Sequence, residues 1–218
     1  ATIEALENAF HCPIIEAYGM TEASHQMASN YLDSVRKPGS VGKSAGPEIA
    51  LFRNDKLITV ANTEGEIVIR GSNVTKGYKN NDKANKENFF DGWFKTGDLG
   101  KFDEDGFLFI SGRIKEIINK GGEKISPQEV DEALMKHEDV FQAVCFSVKH
   151  EKLGEDIAAA VVLKDGSTVD EKDLKTHLSK SITTFKIPRQ ILILDEIPKG
   201  NTGKIQRIGL AKKLGLEP

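Results

Sequence analysis

The chain has 218 residues, of which 39% are hydrophobic and 29% are charged, a balance typical of proteins that fold around a hydrophobic core. Thirty lysines and arginines stand against thirty-three aspartates and glutamates, and the resulting net charge of −3 argues against a basic surface for nucleic acid. The two cysteines, Cys12 and Cys145, are too far apart in sequence to form a C-x-x-C metal pair, and the longest apolar run (157–163) is too short to span a membrane.

The first half of the chain is predicted to begin with a helix and to continue in short strands. Ile3, Leu6 and Phe10 share one face of that helix, and residues 13–18 (PIIEAY) are typical of a short buried strand. Alternating segments after a turn-rich stretch predict strands over 48–52, 65–71 and 107–112, with a hairpin turn at 103–106. Closely spaced short strands punctuated by glycine predict a small barrel or sandwich-like unit.

The pattern changes after Gly112. Ser126 is predicted to be the N-cap of a helix over 126–137, with Pro127 in its first turn and Glu129 placed for a capping box. Further strands are predicted over 140–148, 157–163 and 190–194, and further helices over 170–182 and 204–214. These elements predict a compact α+β module of common domain size, with the domain boundary at 112–113.

Four motifs occur in order along the chain: YGMTE (18–22), GWFKTGD (92–98), GRIKEIINKGGEKISPQEV (112–130) and PKGNTGKIQR (198–207). The last one contains Gly203-Lys204, but a phosphate-binding P-loop would need a hydroxyl residue where Ile205 stands and a glycine further upstream than Gly200. Together the four motifs resemble the acyl-adenylate-forming superfamily, which includes the acyl-CoA synthetases. Residues 20–25 (MTEASH) and 74–89 make the chain most similar to the oxalyl-CoA synthetase branch, near the 4-coumarate-CoA ligases.

The resemblance implies a fold, an activity and a set of cofactors. Residues 1–112 would be the end of the large AMP-binding domain with a small distorted β-barrel subdomain, and residues 113–218 a compact α+β C-terminal lid domain. Family members activate a carboxylate with ATP and Mg²⁺, release pyrophosphate to leave an acyl-adenylate, and pass the acyl group to coenzyme A. The expected partners are therefore a small-molecule carboxylate, ATP and coenzyme A, with no nucleic acid and no membrane span.

The first two motifs are expected to hold the nucleotide and its metal. By resemblance, Tyr18 stacks on adenine, Gly19 lies beside it, and Thr21 meets the adenylate phosphate. Glu22 holds Mg²⁺, which is usually bound by one or two carboxylates plus substrate phosphates. Asp98 accepts hydrogen bonds from the ribose hydroxyls. Each residue has an alternative interpretation when it is considered alone: Tyr18 as a half-buried core residue, Glu22 as a solvated carboxylate and Asp98 as a turn residue.

The third motif is expected to form the joint between the two domains. By resemblance, Arg113 reaches the ribose and Lys115 is the pivot of a hinge, which needs few contacts and room for changes in backbone angles. Gly122 would line the channel for the pantetheine arm of coenzyme A, because a residue without a side chain allows close approach. A plain tight turn at Gly121 and Gly122 is compatible with that role.

The resemblance makes Lys204 the catalytic residue. Negative charge builds up where the substrate carboxylate attacks the α-phosphate, and a cation delivered to that point lowers the barrier. The alternative is a solvated surface lysine. The usual hydroxyl-rich sequence of the family is replaced here by Gly200-Asn201-Thr202, in which Thr202 keeps a hydroxyl and Gly200 is expected to loosen the loop.

Ser24 and His25 are the expected contacts to the acid. They follow the adenylate motif, and a small dicarboxylate such as oxalate needs polar partners for its second carboxylate. His25 can donate a hydrogen bond or a positive charge, or alternatively brace the loop.

The phosphate loop that family members carry before YGMTE has no counterpart here, so we expect the chain to be the C-terminal part of a longer ligase that needs the remainder of its large domain. The fragment alone is expected to be inactive. Two alternatives stay open: a binding or interaction fragment without catalysis, and an enzyme that loads a carrier protein rather than coenzyme A. The terminal Gly-Leu-Glu-Pro is not a peroxisomal address, so a cytoplasmic protein is expected.

Overall fold

The computed structural model describes residues 2–200 and 203–216, whose contacts form two compact units, one ending at Ile114 and the other beginning at Lys115. Arg113 belongs to the first unit because it ends a strand in which it pairs with Asp98. The division therefore lies two residues beyond the boundary expected at 112–113.

The first unit opens with helix α1 (Thr2–Phe10) and a small antiparallel sheet. In sheet order its strands are β1 (Ala17–Met20), β2 (His25–Ser29) and β3 (Lys43–Ser44). The predicted helix is confirmed, but Leu6 and Phe10 remain 37% and 67% exposed.

The strand predicted over 13–18 is wrong in its position, because β1 begins only at Ala17. The carboxylate of Glu7 accepts the amide of Ile14 at 3.0 Å, and Arg36 donates to the Ile14 carbonyl at 3.1 Å. Side chains thus take the backbone groups that a strand partner would use. YGMTE consequently begins inside β1, which is an antiparallel strand.

The second sheet of this unit is also antiparallel. Its elements, with the helix that precedes β7, are β4 (Glu48–Arg53), β5 (Lys56–Ile58), β6 (Gly65–Arg70), α2 (Asp82–Asn88), β7 (Phe89–Phe90), β8 (Trp93–Phe102) and β9 (Leu108–Arg113). The order is β5-β4-β6-β8-β7, and β9 also pairs with β8. Register shifts in the β6–β8 and β8–β9 pairs bend the sheet, in agreement with the distorted, curled β subdomain that was expected.

The second unit is a sheet covered by helices on both faces. Its elements are β10 (Ile118–Lys120), β11 (Glu123–Ile125), α3 (Pro127–Met135), β12 (Val140–His150), β13 (Gly154–Leu163), α4 (Glu171–Leu178), β14 (Gln190–Ile193) and α5 (Leu210–Lys213). Strands run in the order β11-β10-β13-β12, and β14 pairs in parallel with β13. Helices α3 and α4 pack on one face and α5 on the other, so both faces of β13 are buried. The predicted α+β fold class is therefore confirmed.

Two local predictions in the second unit are wrong. Ser126 occupies the N-cap position of α3, but its side chain makes no capping hydrogen bond, and Glu129 pairs with Lys186 at 2.6 Å rather than closing a capping box. The predicted helix over 204–214 is reduced to Leu210–Lys213 because Gly209 adopts a left-handed φ of 79°, while Ile205 bridges to Lys199.

None of the helices in the described part of the chain combines the length and the hydropathy that a membrane crossing requires.

Candidate functional site

Three of the expected nucleotide-binding residues meet at one buried carboxylate. The β8–β9 register places Asp98 opposite Arg113, and Arg113 Nε lies 3.1 Å from Asp98 Oδ1. The Tyr18 hydroxyl, from β1, donates a short hydrogen bond to Asp98 Oδ2. Burial first, and then the charge of Asp98, raise the pKa of Tyr18 well above its ordinary value, so the phenol stays a donor at neutral pH.

Asp98 keeps unused acceptor capacity. Asp98 is only 6% exposed, whereas the side chain of Arg113 is 67% exposed. A carboxylate offers about four lone-pair sites, and two of those on Asp98 are used by its two partners. That a ribose diol uses the remaining capacity, as the resemblance implies, stays a prediction.

Gly19 has a clear steric role. A Cβ atom at this position would lie 1.9 Å from the carbonyl oxygen of His25, so only glycine lets β1 approach β2 at the bulge between Tyr18 and Gly19. The β1–β2 pairing at this bulge therefore depends on the missing side chain of Gly19.

Residues Thr21–Ala23 form that turn, a single 3₁₀ turn in which Thr21 is exposed and Glu22 is half-buried. Glu22 Oε1 accepts a hydrogen bond of 2.9 Å from the hydroxyl of Tyr78, and Oε2 has no partner among the described residues. Burial first, and then Glu22, raise the pKa of Tyr78 to about 12. One carboxylate oxygen without a protein partner is compatible with a Mg²⁺ ion whose other ligands are phosphates and water. No group of three or more metal-ligating side chains occurs in the described ranges 2–200 and 203–216.

Ser24 and His25 occupy strained backbone positions directly after this turn. Their φ angles are 52° and 85°, in the left-handed region that non-glycine residues seldom adopt. The Ser24 hydroxyl donates to the carbonyl of Asn73 at 2.9 Å. His25 is exposed at the start of β2, so its imidazole is available to a ligand.

Two of the three residues expected from the third motif, Lys115 and Gly122, lie in the second unit. Lys115 is exposed in a 3₁₀ turn (Ile114–Glu116), at the point where the two units divide. Gly121 and Gly122 form the β10–β11 turn with φ angles of 59° and 94°. No heavy atom lies within 4 Å of a Cβ built on Gly122, so its surroundings are open and the turn geometry is what requires glycine.

Lys204 lies at the end of a short loop closed by backbone hydrogen bonds. The Gly200 amide donates to the Lys204 carbonyl at 2.8 Å, and the Gly203 amide donates to Gly200 at 2.9 Å. Lys204 is exposed and forms no salt bridge with any described carboxylate, so its ammonium group is available. Asn201 and Thr202 lie outside the described residues.

Gly200 lies beside a flexible side chain. A Cβ atom on Gly200 would come within 2.5 Å of the end of the Gln206 side chain, which can move aside. That Gly200 loosens the loop stays a prediction.

Arg207, which the sequence did not single out, anchors the same segment. Its Nε lies 2.9 Å from Glu116 Oε2 and its Nη2 lies 2.6 Å from Asp131 Oδ2, while Nη1 donates to the Cys145 carbonyl at 3.0 Å. Burial raises the pKa of Asp131, and the arginine opposes that shift. The guanidinium thus links the Lys204 segment to Glu116, beside Lys115, and to helix α3. The available signal was an arginine three residues after Lys204.

Comparison with known proteins gives the chain a family. The AMP-binding enzyme family matches residues 1–79, and the AMP-binding enzyme C-terminal domain matches residues 129–204. An oxalate–CoA ligase of Arabidopsis thaliana is 53% identical over 94% of this chain, and one of Saccharomyces cerevisiae is 47% identical over 97%. The chain spans only 40% of the length of each of these relatives.

Solved structures agree with the sequence matches. ATP-bound MatB from Rhodopseudomonas palustris has a TM-score of 0.90 at 31% identity and is matched over 97% of this chain and 42% of its own length. The o-succinylbenzoate CoA synthetase MenE of Bacillus subtilis, solved with its acyl-adenylate intermediate, has a TM-score of 0.85 at 33% identity over 94% of this chain and 42% of its own length. Both family matches, the relatives and the ordered motifs agree: the chain belongs to the AMP-binding, acyl-adenylate-forming enzymes.

Proposed function

We propose that this chain is the C-terminal part of an ATP-dependent acyl-CoA ligase. The observation that carries the proposal is the cluster of Tyr18, Asp98 and Arg113 around one carboxylate, a hydroxyl-binding arrangement in a chain 53% identical to an oxalate–CoA ligase. The exposed apolar face of α1, with Phe10 67% exposed, supports a larger first domain that covers it. The unpaired Cys12 and Cys145 support a reducing compartment, the cytoplasm.

In the first half-reaction the residues of the first unit hold the nucleotide and the acid. Asp98 and Arg113 orient the ribose, Glu22 supplies a carboxylate ligand to Mg²⁺, and Thr21 offers a hydroxyl to the α-phosphate. Glu22 would hold the metal, which would supply positive charge to the phosphates. Lys204 places a positive charge between the carboxylate and the α-phosphate, where two anions must approach each other.

In the second half-reaction the acyl group passes to the thiol of coenzyme A. Lys115 is the joint at which the second unit changes its arrangement, and the open β10–β11 turn at Gly122 then borders the pantetheine arm. Oxalate or another small acid is the substrate class that His25 fits best, because an exposed imidazole can pair with a second carboxylate.

Acid-dependent ATP–pyrophosphate exchange by the complete protein tests the proposal. We expect exchange with small dicarboxylates, oxalate above apolar monocarboxylates, and a loss of about 100-fold or more for Lys204→Ala, the size seen when a transition-state charge partner is removed. The exposed Lys212 gives a matched control, since Lys212→Ala should exchange at the normal rate.

The acceptor is tested by offering coenzyme A and a carrier protein separately. We expect the thioester only with coenzyme A. Absence of exchange with every acid would contradict the ligase and favour a binding fragment, and a thioester formed only on the carrier would contradict coenzyme A as the acceptor.

A further inference from the structure

Four hydrogen bonds tie the 73–78 segment to the Glu22–Ser24 turn, about fifty residues away in sequence. The Asn73 side-chain amide donates to the Ala23 carbonyl at 2.9 Å, and the Asn73 carbonyl accepts the Ser24 hydroxyl at 2.9 Å. The Thr75 amide donates to the Glu22 carbonyl at 2.7 Å, and the Tyr78 hydroxyl donates to Glu22 Oε1 at 2.9 Å. Three of these bonds hold the backbone or the Ser24 side chain, and the Tyr78 bond alone holds the carboxylate.

The turn needs such support because its backbone is strained. Ser24 and His25 are consecutive non-glycine residues with positive φ angles, and such a conformation persists only when surrounding contacts enforce it. The 73–78 segment supplies such contacts to Glu22, Ala23 and Ser24, so it fixes where Glu22 lies.

Tyr78 is itself rigidly held at its backbone and at its ring. The Asn85 side chain accepts the Tyr78 amide at 2.7 Å and donates to the Tyr78 carbonyl at 3.0 Å. The ring packs edge-on against Phe94 at 6.4 Å between centroids. The hydroxyl is therefore presented to Glu22 by a side chain with little freedom of its own.

We infer that Tyr78 is a positioning residue for the Mg²⁺ ligand: it fixes the Glu22 carboxylate through Oε1 and leaves Oε2 to the metal. This inference rests on the proposed function, because it takes Glu22 as the metal ligand. Without the phenol, the carboxylate rotates among several orientations. Metal binding must then also order the carboxylate, which makes the free energy of metal binding less favourable. Loss of such an outer partner typically lowers metal affinity by 10- to 100-fold.

The test compares Tyr78→Phe with Tyr31→Phe in the complete protein. Tyr31 is a matched control in the same unit, because its exposed hydroxyl also donates a 2.9 Å hydrogen bond, to the Ser44 carbonyl. Mn²⁺ binding is measured by electron paramagnetic resonance in the presence of a non-hydrolysable ATP analogue, and the Mg²⁺ dependence of pyrophosphate exchange is measured alongside. We expect a 10- to 100-fold weaker Mn²⁺ affinity for Tyr78→Phe and an unchanged affinity for Tyr31→Phe.

A double variant shows whether Tyr78 acts through Glu22. Adding Tyr78→Phe to Glu22→Gln should weaken Mn²⁺ binding no further than Glu22→Gln alone. Additive losses, an unchanged Mn²⁺ affinity in Tyr78→Phe, or an equal loss in Tyr31→Phe would overturn the inference. Failure of the proposed function gives a different result, namely no acid-dependent exchange by the unaltered protein.

Discussion

Replacing Arg207 by methionine should destabilise the second unit strongly. The side chains of Arg207, Asp131 and Glu116 are only 17%, 14% and 18% exposed, so the variant leaves two nearly buried carboxylates without their cation. Breaking a buried ion pair by removing one partner costs about 3–5 kcal/mol. The residual exposure places the expected loss near the lower end, about 3 kcal/mol, while methionine preserves most of the packing.

Hydrogen exchange measures this loss unit by unit. At about 1.4 kcal/mol per factor of ten, the slowest amides of β12 and β13 should exchange about 100-fold faster in Arg207→Met. Amides of β6 and β8 in the first unit serve as an internal reference. Lys199→Met removes an exposed ion pair to Glu196 in the same unit and should leave protection unchanged. Unchanged β12–β13 protection in Arg207→Met would refute the anchoring role.

Three further predictions concern acid stability, nucleotide binding and substrate choice. Burial raises the pKa of Asp156, but its contact with Lys120 at 2.7 Å outweighs burial and leaves the net pKa below the ordinary value. The stabilisation by the Asp156 carboxylate is therefore present above its unfolded pKa of about 3.9 and is lost as pH falls through its folded pKa. Below about pH 4, the urea midpoint of Asp156→Asn should therefore fall less steeply with pH than that of the unaltered protein. Parallel plots of urea midpoint against pH would contradict this. Tyr18→Phe should raise the KM for ATP about tenfold with a smaller change in kcat, because Asp98 loses the hydrogen bond that orients it while the aromatic ring is kept. An unchanged KM would show that the Tyr18 hydroxyl plays no part in the ribose site. His25→Ala should impair exchange with oxalate more than with an apolar acid, and equal losses would reject its contact with the second carboxylate.

Local signals in the sequence predicted much of the fold. Alternation of apolar and polar residues predicted the strands β4, β6 and β9. The hairpin turn predicted at 103–106 is closed by a hydrogen bond from the Gly106 amide to the Asp103 carbonyl. These features depend on side-chain period and turn chemistry within a few residues. The candidate site was predicted by the order of four motifs, and the structure brings Tyr18, Asp98 and Arg113 together although they are up to 95 positions apart.

The failures have a common physical cause, namely contacts between residues distant in sequence. Glu7 and Arg36 take the backbone groups of Ile14 and thereby delay β1, and Lys186 draws Glu129 away from its helix cap. No local pattern encodes such partners. Tyr78 and Arg207 were not predicted for the same reason. Tyr78 binds a carboxylate 56 residues away in sequence, and Arg207 binds two carboxylates that are 91 and 76 residues away.

Formation of an acyl-adenylate is measured most directly in a single turnover of the complete protein with ATP and oxalate in the absence of coenzyme A, analysed by mass spectrometry. We predict that an acyl-adenylate accumulates and that added coenzyme A converts it to a thioester with release of AMP. Cleavage of ATP without an acid-derived adenylate, or no turnover with any small carboxylate, would contradict the account.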